Sequence, residues 1–260
     1  MTNYKALMDR LLGLTACALF PTGRTGSDFF QSLLDSHPEV LTFNGHIRFH
    51  HYFWEQSVCV AAGSFTATDV IDEFIGKHIH NLKSRYDVFE RKDQLGEDYN
   101  QSIDIDLDIF KSDTLKLLED QEINSRNVLL ALYGAYALGL GQDLEQKKLF
   151  FHHAHAFLDL PLYLKDFPES KIICTTRDPR ATFVSGIEHH RDHNFRTDTD
   201  DGRWLTHTIT RILEDATPVE PYRKDYKVIR LEDLGQEEIL KALCEWLGIS
   251  FKESLTRSTW

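Results

Sequence analysis

Three times along the chain, a short apolar run gives way to apolar residues at helical spacing. Residues 15–20, TACALF, are closed by Pro21 and Gly23, and Phe29, Phe30, Leu33 and Leu34 then recur on one helical face until Pro38. The stretch KIICTTRDPRATFVSGIEHH repeats that order. Lys171 to Thr176 read as a buried strand, and Asp178 before Pro179 supplies a helix N-cap and first helical position. The third copy is KVIRLEDL followed by EEILKALCEWLGI, where Ile239, Leu240, Leu243, Cys244 and Leu247 make one apolar face ending at Gly248. Strands alternating with helices predict an α/β fold with a central, mostly parallel β-sheet flanked by helices, whose ligands gather at the carboxyl ends of the strands. The loop at 21–27 and Arg177 both fall on that rim.

The middle of the chain is less regular. Residues 65–127 are charged and helix-prone, and in SIDIDLDIF Asp104, Asp106 and Asp108 alternate with apolar residues. A calcium loop would need glycine and glutamate where Ile109 and Leu115 stand, so this stretch reads as a strand or extended segment with one wet face. With 260 residues and 42% hydrophobic composition, the chain can bury the core of one large domain, residues 1–260. Its net charge of −12 argues against a general affinity for nucleic acid or anionic membranes, so a bound anion needs a local basic pocket. Cys17, Cys59, Cys174 and Cys244 are far apart, three of them in apolar runs, as expected of reduced thiols in a cytoplasmic protein. LLGLTACALF and VLLALYGAYALGLG both fall short of the roughly 20 residues that cross a bilayer, and the first lacks a cleavage site, so no transmembrane segment or secretion is expected.

A loop with Gly23 and Gly26 that opens into a helix can aim backbone N–H groups and the positive helix end at a phosphate. Taken alone, FPTGRTGSDFF also reads as an ordinary strand-to-helix turn, with Arg24 solvated and no lysine after Gly26. Arg177 at a strand end and Ser185, eight positions on, suit a second phosphate. Arg180 reads either as a nucleotide contact or as the salt-bridged cap of its turn, and Glu232 and Asp233 as bonds between neighbouring loops. Neither His152, His153 and His155 nor His189, His190 and His193 have the cysteine partners or His-Glu-x-x-His pattern of a zinc site, so no metal is expected.

In order, RTGSDFF, HPEV, RDPRATFVS, VIRLEDL and LCEWLGISF resemble the sulfotransferases that use 3'-phosphoadenosine 5'-phosphosulfate, over roughly 15–40 and 149–255. The resemblance implies a P-loop-NTPase-like fold, with about 42–148 as a helical insertion on the acceptor side. It implies transfer of the sulfuryl group from that donor to a hydroxyl of a carbohydrate, glycolipid or other small alcohol, in line, with a histidine base and no metal. Arg24, Thr25, Gly26 and Ser27, with Gly23 in the same loop, are then the cradle of the 5'-phosphosulfate, and Arg177 and Ser185 the holders of the 3'-phosphate. Arg24 stands where the family places its catalytic cation, and a guanidinium there stabilises charge on the leaving oxygen without donating a proton.

Asp28 departs from the family's serine or threonine. It repels the phosphosulfate unless it turns away to cap the helix, where the dipole favours it. For the base, His155 lies sixteen positions before Lys171, the spacing of the family's histidine base, and His46 is the competitor, near where carbohydrate sulfotransferases carry a glutamate. His50 and His51 read as local structure or acceptor contacts. LFF is expected to be a short strand that delivers His152, His153 and His155 to one rim. Two other readings stand beside this one: a nucleotide-dependent kinase of related fold, disfavoured by the missing Walker lysine and magnesium aspartate, and a catalytically silent nucleotide-binding module. The acceptor pocket falls in the middle region and in RDHNFRTDTDDGRW. No basic-glycine segment follows Phe251, so Arg257 replaces it, or the donor has fewer contacts, or the chain is a truncated form.

Overall fold

Alternation along one central strand decides the layers. In β1 (Thr15–Leu19) Cys17 and Leu19 face one side of the sheet and Ala18 the other, all fully buried. The structure, a computed structural model, describes residues 2–21, 23–35, 37–60, 65–83, 103–155, 157–192, 210 and 225–256, with 189–192 described by their backbone alone. Among them β1, β2 (Val40–Leu41), β3 (Leu149–His153), β4 (Lys171–Thr176) and β5 (Tyr226–Arg230) form an all-parallel sheet in the order β2-β3-β1-β4-β5. This is the α/β fold that the strand–helix repeats predict.

On the Cys17 side, α2 (Ser27–Leu34) contributes Phe30, Leu33 and Leu34, and α9 (Glu237–Leu247) contributes Leu240, Leu243 and Leu247. On the Ala18 side lie α1 (Tyr4–Leu12), α3 (Ala67–Lys77), α4 (Ile79–Lys83), α5 (Leu107–Leu117), α6 (Ser125–Gly139) and α7 (Leu160–Asp166), whose apolar faces share one core with Phe150 and Ile172. Helix α9 stops where expected: Gly248, at φ +78°, donates to the Cys244 carbonyl at 2.9 Å. Helix α8 (Pro179–Asp192) starts where expected, with the Asp178 carboxylate accepting the Arg180 N–H at 2.8 Å.

One local expectation changes. Residues 103–106 form no strand, and the Asp106 carboxylate accepts the N–H groups of Asp108 and Ile109 and so caps α5. The run LLGLTACALF is divided between the end of α1 and β1, and α1 buries Met8 and Leu11. Cys17, Cys174 and Cys244 are buried thiols and Cys59 an exposed one, none of them in a disulfide. Among the described residues, no helix is long and apolar enough to cross a membrane. Because β1 lies between β3 and β4, the chain leaves its carboxyl end at the point where the strand order changes direction, the place where open parallel sheets gather their ligands.

Candidate active site

The loop after β1 is built around left-handed backbone. Gly23 has φ +76°, Arg24 +53° and Gly26 +80°, and such residues turn successive amides into a concave, anion-accepting surface. Arg24 carries this conformation with a Cβ, a strain that folds retain at functional positions. Gly26 meets a second demand, because a Cβ there would lie 2.4 Å from Leu231 Cδ1 on the loop after β5. Thr25 is buried, and its hydroxyl shares a 2.9 Å hydrogen bond with that of Thr175, which ties the loop to β4.

The exposed Arg24 side chain donates from Nε to Ser185 Oγ of α8 at 3.4 Å, a contact between motifs 161 residues apart. Arg177, half-buried at the end of β4, lies within electrostatic reach of Glu232. That carboxylate accepts the Asp178 N–H at 3.3 Å and is held below its ordinary pKa, by backbone N–H groups first and then by Arg230 and Arg177. Of the two readings of Arg180, the structure shows the salt bridge: its Nε and Nη2 grip the two oxygens of Asp178 at 3.0 and 2.6 Å and hold that carboxyl well below its usual range.

On the other flank, three imidazoles gather. His46 and His155 stack with ring centroids 4.0 Å apart and planes 18° off parallel, and His153 stands 5.7 Å from His46 and 5.5 Å from His155. Both base candidates therefore belong to one cluster, and His155 carries the strained φ of +67°. Buried His153 bonds through Nδ1 to Gln31 Oε1 at 2.7 Å. The Gln31 amide nitrogen donates to the carbonyls of Phe43 at 2.6 Å and Gly45 at 3.2 Å, so its oxygen must accept and His153 must carry its proton on Nδ1. His153 is held well below its ordinary pKa by burial first, then by His155, His46 and His152. Asp28 turns its Oδ1 to within 3.8 Å of His153 Nδ1, so the carboxylate lies beside the histidine cluster.

His152 is not on this rim. Period-two alternation along β3 sends it to the opposite face, where Nδ1 pairs with the Tyr133 hydroxyl at 2.8 Å and the ring stacks on Tyr163. His50 and His51 take structural parts at the start of a π-type helix (His50–Cys59): His50 Nε2 lies 3.2 Å from Asp166 Oδ2, and the His51 N–H donates to Asp159 Oδ1 at 2.8 Å. Sequence reasoning missed Gln31, although it sits three positions after Asp28 and so on the same helical face. It also passed over Thr175 and Leu231, which fix the loop from β4 and from the segment after β5. Of the remaining expectations, His193, Arg257 and most of RDHNFRTDTDDGRW lie outside the described residues, as do the side chains of His189 and His190. Among the described residues, no group of three or more His, Cys, Asp and Glu side chains is arranged to hold a metal ion.

Residues 21–253 match the sulfotransferase family, and the chain belongs to that family. No curated protein matches it. Among solved structures it is similar to the sulfotransferase domain from the Synechococcus PCC 7002 olefin synthase, with 16% identity and a TM-score of 0.48 over 94% of this chain and 76% of that one.

Proposed function

We propose that the chain transfers the sulfuryl group from 3'-phosphoadenosine 5'-phosphosulfate to a hydroxyl of a carbohydrate, glycolipid or other small alcohol, working as one domain whose 42–148 segment lies on the acceptor side. The observation that carries this reading is the meeting of Arg24 and Ser185 on the rim, while the His46–His155 pair connects through His153 to Asp28 at the start of the helix that the loop opens into. In it, Gly23, Arg24, Thr25, Gly26 and Ser27 cradle the phosphosulfate, with the N-terminus of α2 adding its positive end, and Arg177 and Ser185 take the 3'-phosphate. His155 accepts the acceptor's proton, the acceptor oxygen forms its bond to sulfur, and the bond from sulfur to the phosphate oxygen breaks. Arg24 stabilises the negative charge left on that oxygen. His46, stacked on His155, holds the ring of the base.

A thermal-shift comparison tests the donor site. Adenosine 3',5'-bisphosphate at a hundred times its Kd is expected to stabilise the fold by about 2.7 kcal/mol, whereas ATP with magnesium has no such effect. The reading fails if millimolar bisphosphate leaves the melting temperature unchanged. In turnover with labelled donor and a panel of alcohols, His155→Ala is expected to lose about 100-fold or more while keeping the bisphosphate shift. Undiminished turnover in that variant would hand the base role to His46.

A further inference from the structure

One carboxylate stands beside three imidazoles, at the position where the family carries a neutral serine or threonine. Asp28, on the first turn of α2, is 3.8 Å from His153 Nδ1, too far for a hydrogen bond, and the N–H there is already given to Gln31. The other nitrogen of His153, Nε2, is fully buried and has no hydrogen-bond partner among the described residues. His153 thus lies against Asp28 on its Nδ1 side, with the rings of His46 and His155 packed around it. Among imidazoles in contact a second proton comes only against the repulsion of the first, so one carboxylate matches the one charge that a base acquires. Near a phosphosulfate the same carboxylate is a liability.

We propose that Asp28 is the counter-charge of the histidine cluster, a positioning residue that acts across His153 to stabilise the imidazolium formed when His155 takes the acceptor's proton. Gln31 orients His153 by holding its Nδ1 proton, and through its two bonds to Phe43 and Gly45 it fixes the segment that carries His46. The charged and titratable groups around the cluster come from every element packed on it. Among the described residues they are Asp28 from α2, His46 from the segment after β2, His155 from the segment after β3, and His152 from the far face of β3. Of these, Asp28 alone is negative. The inference rests on the sulfotransferase reading for its chemistry, but the electrostatic pairing can be measured without it.

The test uses Asp28→Asn, with Asp28→Ser as the family-like change and Asp28→Glu as the charge-conserving one. In pH–rate profiles, removing the negative charge is expected to move the acid limb of kcat/KM down by about one pH unit, the usual size for a neighbouring charge. It also lowers kcat about tenfold, while the Kd of adenosine 3',5'-bisphosphate stays the same or falls. Asp28→Glu restores the limb. A merely structural role gives the opposite split: weaker bisphosphate binding and an unmoved limb, and that result overturns the proposal.

Histidine titration by NMR without donor, in wild type and Asp28→Asn, separates this from failure of the functional reading. Lower midpoints for the His46 and His155 signals with no turnover on any acceptor keep the pairing and sink the sulfotransferase reading. Unmoved midpoints with an intact bisphosphate shift do the reverse. If Asp28→Asn does not fold, the Asp28→Ser titration decides by the same two outcomes.

Discussion

Gly26 shows how much a single position in the loop after β1 can carry. Its φ of +80° excludes a Cβ on conformational grounds, and the 2.4 Å approach of Leu231 Cδ1 excludes one on packing grounds. Gly26→Ala is expected to destabilise the protein by about 1–3 kcal/mol, from left-handed strain plus overpacking, as read by urea melts. It also displaces the amides on either side of it, so bisphosphate binding should weaken by more than tenfold. A variant with wild-type stability and binding would show that the loop reshapes freely. Arg24 is the contrasting case, since its side chain is exposed and its contact to Ser185, at 3.4 Å, is long. Arg24→Ala is therefore expected to leave stability unchanged within about 0.5 kcal/mol while lowering kcat about 100-fold or more. A melting loss that paralleled the activity loss would contradict the assignment.

At the scale of elements, legibility tracked how local the determining physics is. β1, β4, α2, the start of α8 and the end of α9 could all be read from runs, caps and glycines, because each depends on residues within a few positions of one another. The Asp178 cap and the Gly248 terminus are of this kind. What the sequence concealed depends on faces and partners. His152 and His153 are adjacent in sequence, yet β3 sends them to opposite sides of the sheet, and only one joins the site. The orientation of His153 beside Asp28 is set by Gln31 and, through it, by the Phe43 and Gly45 carbonyls, so three separate segments decide it.

Helix α1 is another such case, because nothing local announces what it packs on. A Cβ at Gly134 of α6 would lie 2.6 Å from Leu11 of α1 and 3.1 Å from Leu117 of α5, so this glycine permits the close approach of the three helices. Gly134→Val is expected to destabilise by about 1–3 kcal/mol and to leave the bisphosphate Kd unchanged, since the packing lies on the Ala18 side of the sheet. Loss of binding equal to that of Gly26→Ala would show that the two faces are not independent.

For the whole molecule, acid stability pits two electrostatic effects of opposite sign against each other. The chain carries a formal charge of −12 at pH 7, so mild acidification relieves self-repulsion and by itself favours the compact state. Buried histidines act the other way. His152 and His153 are both held well below their ordinary pKa, chiefly by burial, so the folded state leaves them neutral at a pH where the unfolded chain protonates them. Stability from these groups is present above the unfolded value near 6.5 and is lost as pH falls below it. Each removes about 1.4 kcal/mol between pH 7.5 and 5.5, so the pair removes about 3 kcal/mol. His78, held down to about 4 by burial, adds to the same trend.

Glu39 enters only at lower pH. Burial alone would raise its pKa, but hydrogen bonds from Lys148 and Ser250 outweigh that and bring it to about 2, so its contribution is lost as pH falls below about 4.5. Urea midpoints should therefore drop from pH 7.5 to 5.5 despite the relief of net charge. His152→Gln, which lies off the proposed site, should reduce that drop by about 1.4 kcal/mol without altering the acid limb of turnover. Equal pH slopes for wild type and His152→Gln would mean that protonated His152 is accommodated between Tyr133 and Tyr163, and that charge relief, not histidine burial, governs the acid behaviour of the fold.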